Sequence, residues 1–180
     1  QTYIDRYVQT GGKKDLSKVK ENLDHQMGTN RVNYWTWIDA IQMAMPAYAK
    51  YAKITGERKY LDYAMNSYKW SRDTLANGLF NKKEGLWWRD KDYVPPYKEK
   101  DGSNCYWSRG NGWVYAALVR VMETLPKKDK YYQYLKKDFI LMSKAILKCQ
   151  REDGYWNVSL VCPANYGGPE MTGTGLFLYG

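Results

Sequence analysis

The chain has 180 residues, 44% of them hydrophobic and 26% charged. That suits one domain with its own core and excludes a disordered segment, and no apolar run approaches the ~20 residues of a membrane span. The formal net charge of +9 favours an anionic partner, while 8 Trp and 18 Tyr supply flat faces with polar edges on which sugar rings or nucleobases stack.

The chain opens on Gln1 and stops just after the apolar run Gly175-Leu-Phe-Leu-Tyr179 with no helix-ending residues, so both ends read as cuts in a longer protein. Leu16, Val19 and Leu23 have helical spacing in a Lys-rich stretch. The next stripe is Trp37, Ile38, Ile41, Met45, Tyr48, Ala49 and Ala52, with a kink or restart expected at Pro46 and a stop at Thr55-Gly56. Leu61, Ala64, Met65, Tyr68, Arg72 and Leu75 repeat the period up to Asn77-Gly78. Residues 78–110 show no period and hold glycines, Pro95-Pro96 and many aromatics; a loop of that length in one domain is usually functional. Helical spacing returns at Val114, Ala117, Leu118, Val121 and Leu125, from a start placed at Gly112. It returns again from Tyr132 to Cys149. A second Gly/aromatic stretch follows, with Trp156–Val161 as a short strand or extended loop, and a last helix begins near Glu170. About six helices are expected. Gly85-Leu-Trp87 and Gly154-Tyr-Trp156 form a faint repeat. The chain therefore reads as all-α: stacked helical hairpins of a toroid, with the functional loops on one end.

Three segments hold chemistry. Asp39 follows Tyr34, Trp35 and Trp37; a carboxyl among aromatics is a candidate general acid, and a helix-capping Asp is the alternative. Trp107-Ser-Arg-Gly-Asn-Gly-Trp113 brings glycines for a close backbone approach to a ligand, an arginine fork and two stacking faces to a helix start, which suits an anion. The alternative for Arg109 is an internal ion pair. Glu170, Thr172 and Thr174 lie at another helix start, as ligands or caps. Cys105, Cys149 and Cys162 have no CxxC spacing and His25 is the sole histidine, so a zinc site is set aside; the cysteines read as small core residues and His25 as a surface residue. The lysine clusters Lys13-Lys14, Lys82-Lys83 and Lys127 to Lys137 read as solvated faces.

Trp107-Ser-Arg-Gly-Asn-Gly-Trp113 resembles the W-x-R-G-N-G-W motif of the unsaturated rhamnogalacturonyl hydrolases, glycoside hydrolase family 105. The Trp37-Ile-Asp39 segment with Met43 and Pro46 resembles that family's catalytic-aspartate segment, and Gln150–Trp156 and Glu170–Gly180 resemble two later motifs, in order. The resemblance implies an (α/α)6 barrel, of which residues 1–180 supply about half as a single portion. It implies removal of a 4,5-unsaturated uronic acid from the non-reducing end of pectin-derived rhamnogalacturonan oligosaccharides, by hydration of the vinyl ether and without metal or organic cofactor. On its terms Asp39 is the catalytic acid, and Tyr34, Trp37, Met43, Trp107, Arg109 and Trp113 contact substrate. The implied partner is an acidic oligosaccharide rather than nucleic acid or membrane, with the compartment leaning to the periplasm. Two features depart from the family. No segment matches its second aspartate, and Met27-Gly-Thr-Asn30 stands where some members have a His-Lys pair. Two other functions compete: a two-carboxylate glycosidase using Asp39 and Glu170, and a non-catalytic binder of acidic glycan. In a toroid whose inner helices run the same way, Asp39, Arg109 and Trp113 are expected to gather at one opening.

Overall fold

Apolar residues three and four apart become helices in chain order. The computed structural model describes residues 2–180. Its helices are α1 (Thr2–Thr10), α2 (Lys13–Met27), α3 (Asp39–Thr55), α4 (Arg58–Asp73), α5 (Ser108–Met122), α6 (Lys130–Lys148) and α7 (Met171–Tyr179). The helix beyond the six expected is α1, whose one buried residue, Ile4, leaves no stripe to read. α3 runs unbroken through Pro46, contrary to the restart expected there. The proline removes one backbone donor, but Ile41, Met45, Tyr48 and Ala49 are all buried, and that packing holds the helix.

The helices form two layers. α5 packs between α3 and α7, while α4 covers α3 and α6 covers α5. α3 and α5 run parallel: their last turns, at Ile54 and Arg120, share one cavity, and their first turns touch at Ile38 and Gly110. The close approach explains two glycines. A Cβ at Gly110 would stand 2.9 Å from Ile38 Cδ1, and one at Gly112 would stand 3.0 Å from Leu176 Cβ of α7. Both lie inside α5, which begins at Ser108 rather than at Gly112. Both therefore admit helix–helix contact.

The long loop after α4 is partly regular. Phe80–Asn81 (β1) pairs antiparallel with Leu86–Trp87 (β2). Residues 156–161 form isolated bridges instead of a named strand: Trp107 with Ser159, Gln150 with Trp156, and Asn157 with Pro169. The repeat has a physical basis. The Trp87 N–H donates to Asn111 Oδ1 at 2.8 Å, and the Trp156 N–H donates to Thr174 Oγ1 at 3.2 Å. Asn111 and Thr174 are each the fourth residue of their helix, so each Gly-x-Trp turn hangs on the next inner helix at the same place. Asn111 also donates to the carbonyls of Trp87 and Trp107, both at 3.0 Å. In the outer layer a buried fork joins α4 to α6: Arg72 Nε and Nη2 meet Asp138 at 2.7 and 2.6 Å, and the Tyr68 hydroxyl donates to it at 2.8 Å. All three cysteines are free thiols. Burial, with Glu99 beside it, pushes Cys105 up to about 12, and burial pushes Cys149 up to about 11, so neither is a reactive thiolate.

Candidate active site

The first turns of α3 and α5 and the loop after β2 enclose a cavity of ≈ 140 Å³, lined by Trp37, Asp39, Arg89, Trp107, Arg109 and Gly110. Larger cavities of ≈ 440 and ≈ 420 Å³ lie elsewhere, one between the β1–β2 turn and α6 and one where the end of α3 and the start of α4 meet the α5–α6 connection. The small one brings together a carboxyl, two guanidiniums and two indoles.

Each member has a structural reason to be there. Asp39 is the first residue of α3, and no side-chain cap is made at this helix start. Its carboxyl accepts no hydrogen bond from the described residues and stays open to a ligand. Gly110 keeps that space clear, since a Cβ there would come within 3.6 Å of Asp39 Oδ1. Trp107 precedes the first turn of α5 and is fixed by its bridge to Ser159 and by Tyr166, whose ring centroid is 5.0 Å away. Arg109 is the second residue of α5, exposed and without a carboxylate partner among the described residues, so the internal ion pair weighed for it is not formed there. The backbone N–H groups of Arg109 and Gly110 have no acceptor in the described protein, as expected for a helix's first turn. Trp37 is 54% exposed beside them, a flat platform at the rim.

Arg89 was not singled out in the sequence. It sits in the aperiodic loop next to Asp90. The structure fixes it beside Asp39. The Ile38 N–H donates to the Arg89 carbonyl at 3.0 Å, and Trp37 bridges Asp90. The Arg89 Nε donates to Asp90 Oδ2 at 2.7 Å, and its guanidinium lies 4.3 Å from the Tyr93 ring centroid. Burial works against its charge, but the Asp90 hydrogen bond and the nearby negative charges, Asp39 among them, outweigh that and hold its pKa above the ordinary value.

Three residues expected to touch substrate lie outside this lining. Trp113 is half-buried one turn further along α5. Tyr34 and Met43 are exposed and line a separate cavity of ≈ 450 Å³ with the exposed His25. Glu170 is occupied otherwise: its two carboxylate oxygens cap α7 by accepting the N–H groups of Thr172 and Gly173. The capping alternative thus holds for Glu170, while Thr174 is buried and holds Trp156.

The profile of Glycosyl Hydrolase Family 88 matches residues 1–180. The chain belongs to that family. A curated relative, the unsaturated 3S-rhamnoglycuronyl hydrolase of Alteromonas sp. (strain LOR), is 38% identical over 150 residues, which is 81% of this chain and 34% of the relative. A solved structure of a glycosyl hydrolase family 88 protein from Bacteroides vulgatus superposes with a TM-score of 0.94 at 36% identity, over all of this chain and 51% of that one. A family 105 glycoside hydrolase from C. acetobutylicum ATCC 824 superposes at a TM-score of 0.78 and 26% identity, over 99% of this chain and 53% of that one. The resemblance read from the W-x-R-G-N-G-W segment is thereby borne out. So is the fold: family 88 and family 105 barrels contain this arrangement, and the chain spans about half of each solved structure.

Proposed function

We propose that the protein is a glycosidase that removes a 4,5-unsaturated uronic acid from the non-reducing end of a rhamnose-containing acidic oligosaccharide, as lyases leave on rhamnogalacturonan. In this reading the 180 residues are one portion of the (α/α)6 barrel. The observation that carries the reading is an unbonded carboxyl, Asp39, sharing one pocket with Arg109 and two indoles in a family 88 chain. The relative named as an unsaturated 3S-rhamnoglycuronyl hydrolase supports a rhamnose-linked unsaturated uronate as substrate.

The chemistry follows from a vinyl ether. Asp39 gives its proton to C4, and the positive charge that develops at C5 is shared with the ring oxygen. Water adds to C5 and returns a proton to the Asp39 carboxylate. The C5 hemiketal then opens by breaking its bond to the ring oxygen. C1 is left as a hemiacetal, which expels the neighbouring sugar as an alcohol. Arg109 and the open N–H groups of the α5 first turn hold the uronate carboxylate through charge and fork geometry. Trp37 and Trp107 stack on sugar faces.

The test is the loss of ultraviolet absorbance of the conjugated C4=C5 carboxylate when the intact protein meets a lyase-generated disaccharide. Asp39→Asn keeps the shape and removes the acid, and a loss of roughly 10²–10⁴-fold in kcat is expected. Wild-type turnover by this variant rejects the assignment. Release of reducing sugar from the saturated disaccharide at a similar rate would favour two-carboxylate hydrolysis instead.

A further inference from the structure

Glu99 lies in the loop after β2, only 4% exposed, and the chemistry above makes no use of it. A carboxyl is costly to bury unless its oxygens find donors. Both oxygens of Glu99 do, and among the described residues those donors are uncharged. The Ser159 hydroxyl donates to Oε1 at 2.8 Å, and the Asn165 side-chain amide donates to Oε2. The Glu99 backbone is fixed as well. Its N–H donates to the Ser103 carbonyl at 2.9 Å, and its carbonyl accepts the Gly102 N–H at 3.0 Å. The side chain thus leaves a closed turn and ties it to the segment 158–166.

That segment backs Trp107. The Ser108 N–H donates to the Val158 carbonyl and the Leu160 N–H to the Tyr106 carbonyl, both at 2.9 Å. Ser159 stands opposite Trp107 in their bridge, and its N–H donates to the Tyr166 carbonyl at 3.1 Å, which closes residues 159–166 into a loop. The Tyr166 ring leans on the Trp107 ring. Glu99 therefore grips this loop at both ends: at Ser159, opposite Trp107, and at Asn165, next to Tyr166. Trp107 has no such tie of its own. Its indole N–H is buried without an acceptor among the described residues, so no hydrogen bond from the ring sets its angle.

We infer that Glu99 is a positioning residue: through Ser159 and Asn165 it holds the Trp107–Tyr166 pair so that the Trp107 face meets the sugar. This rests on the glycosidase reading above. Glu99 is buried and outside the lining of the Asp39 cavity, so it acts on substrate only through Trp107. A face ordered in advance loses less entropy when it binds. Loosening it weakens the ground state and the transition state alike, which raises KM and spares kcat.

The test is steady-state kinetics of the intact protein on an unsaturated disaccharide. Glu99→Ala should raise KM roughly 2- to 10-fold, the weight of one aromatic face, with kcat little changed. Glu99→Gln should stay near the wild type, because its oxygen accepts from Ser159 and its amide donates to Asn165 once that amide flips. Where Glu99→Ala does not fold, Ser159→Ala, which removes one donor and little volume, carries the same expectation at the lower end. In a Trp107→Ala background the Glu99 substitution should raise KM no further, since it acts through that ring. Unchanged KM, a fall in kcat alone with a lowered urea midpoint, a Gln variant as poor as the Ala variant, or effects that add to those of Trp107→Ala each overturn the inference. Failure of the wild type to turn over the disaccharide would sink the glycosidase reading by itself. Crystal structures of the wild type and the alanine variant then decide: a Trp107 ring that leaves its rotamer upholds the positioning role, and an unmoved ring rejects it.

Discussion

Arg109 stands in solvent with no acid paired to it among the described residues, at the edge of a pocket that also contains a carboxyl. A structural arginine would be paired, as Arg72 is with Asp138. Arg109→Lys keeps the charge and loses the planar fork. A rise in KM is expected, with kcat/KM falling roughly 10- to 100-fold if one charged hydrogen bond to substrate is lost. Steady-state kinetics on the unsaturated disaccharide decide it, and unchanged KM and kcat would remove Arg109 from the binding surface. At this scale the sequence was informative where residues are neighbours in the chain. Asp39 follows its aromatics directly, and Arg109 lies within its motif. Arg89 was not legible, because its place beside Asp39 depends on the backbone bond from Ile38 and the bridge from Trp37 to Asp90, neither of which leaves a periodic trace. Tyr34 and Met43 lie apart from the pocket lining. They are near Asp39 in sequence, but the chain's path into α3 sends them to another cavity.

Helices were legible because burial of one face imposes a period of 3.6 residues, and α3, α4, α5 and α6 each carry such a face. The hairpin β1–β2 was not, since two-residue strands are too short to display alternation. The start of α5 was misplaced because glycine usually marks a turn, whereas here Gly110 and Gly112 sit inside the helix to admit Ile38 and Leu176. Asn111 between them is the element's structural pin. It is fully buried and makes three hydrogen bonds to the backbone at Trp87 and Trp107. Asn111→Ala would strand those backbone groups in the interior. Each buried group left unpaired costs about 1–3 kcal/mol, so a destabilisation of about 2–4 kcal/mol is expected after partial relaxation. Urea unfolding measures it. A change below about 0.5 kcal/mol, the level of an ordinary surface substitution, would show that the turn holds without its pin.

Across the whole molecule the aromatic count has two meanings that composition cannot separate. Trp37 and Tyr34 are exposed, but Trp35, Trp87, Tyr48, Tyr60, Tyr68 and Tyr106 are buried among the helices as core. Buried phenols make the fold sensitive to alkali. Burial, then the hydrogen bond to Asp62, raises Tyr131 from 10.0 to about 12. Burial above all also raises Tyr48, Tyr60, Tyr68 and Tyr106. A group whose folded pKa is raised stabilises the fold below its unfolded value, and that stability is lost as pH climbs through the window from about 10 to 12 and beyond. The acid side has the opposite sign. Arg6 lowers Asp15, Lys20 and then Tyr60 lower Asp24, and Arg58 lowers Asp129. Their contribution is present above the ordinary carboxylate range and is lost as pH falls below about 4. The partner cations of these carboxylates are 57, 47 and 45% exposed, however, so solvent and salt screen the pairs and each is worth little. The urea midpoint should therefore be nearly flat between about pH 5 and 9, fall gently in acid and fall steeply above pH 10. Added salt should flatten the acid arm and leave the alkaline arm in place, because buried phenols are beyond the reach of counterions. An acid arm as steep as the alkaline one, and insensitive to salt, would mean that the ion pairs between helices carry more of the fold than its tyrosine core.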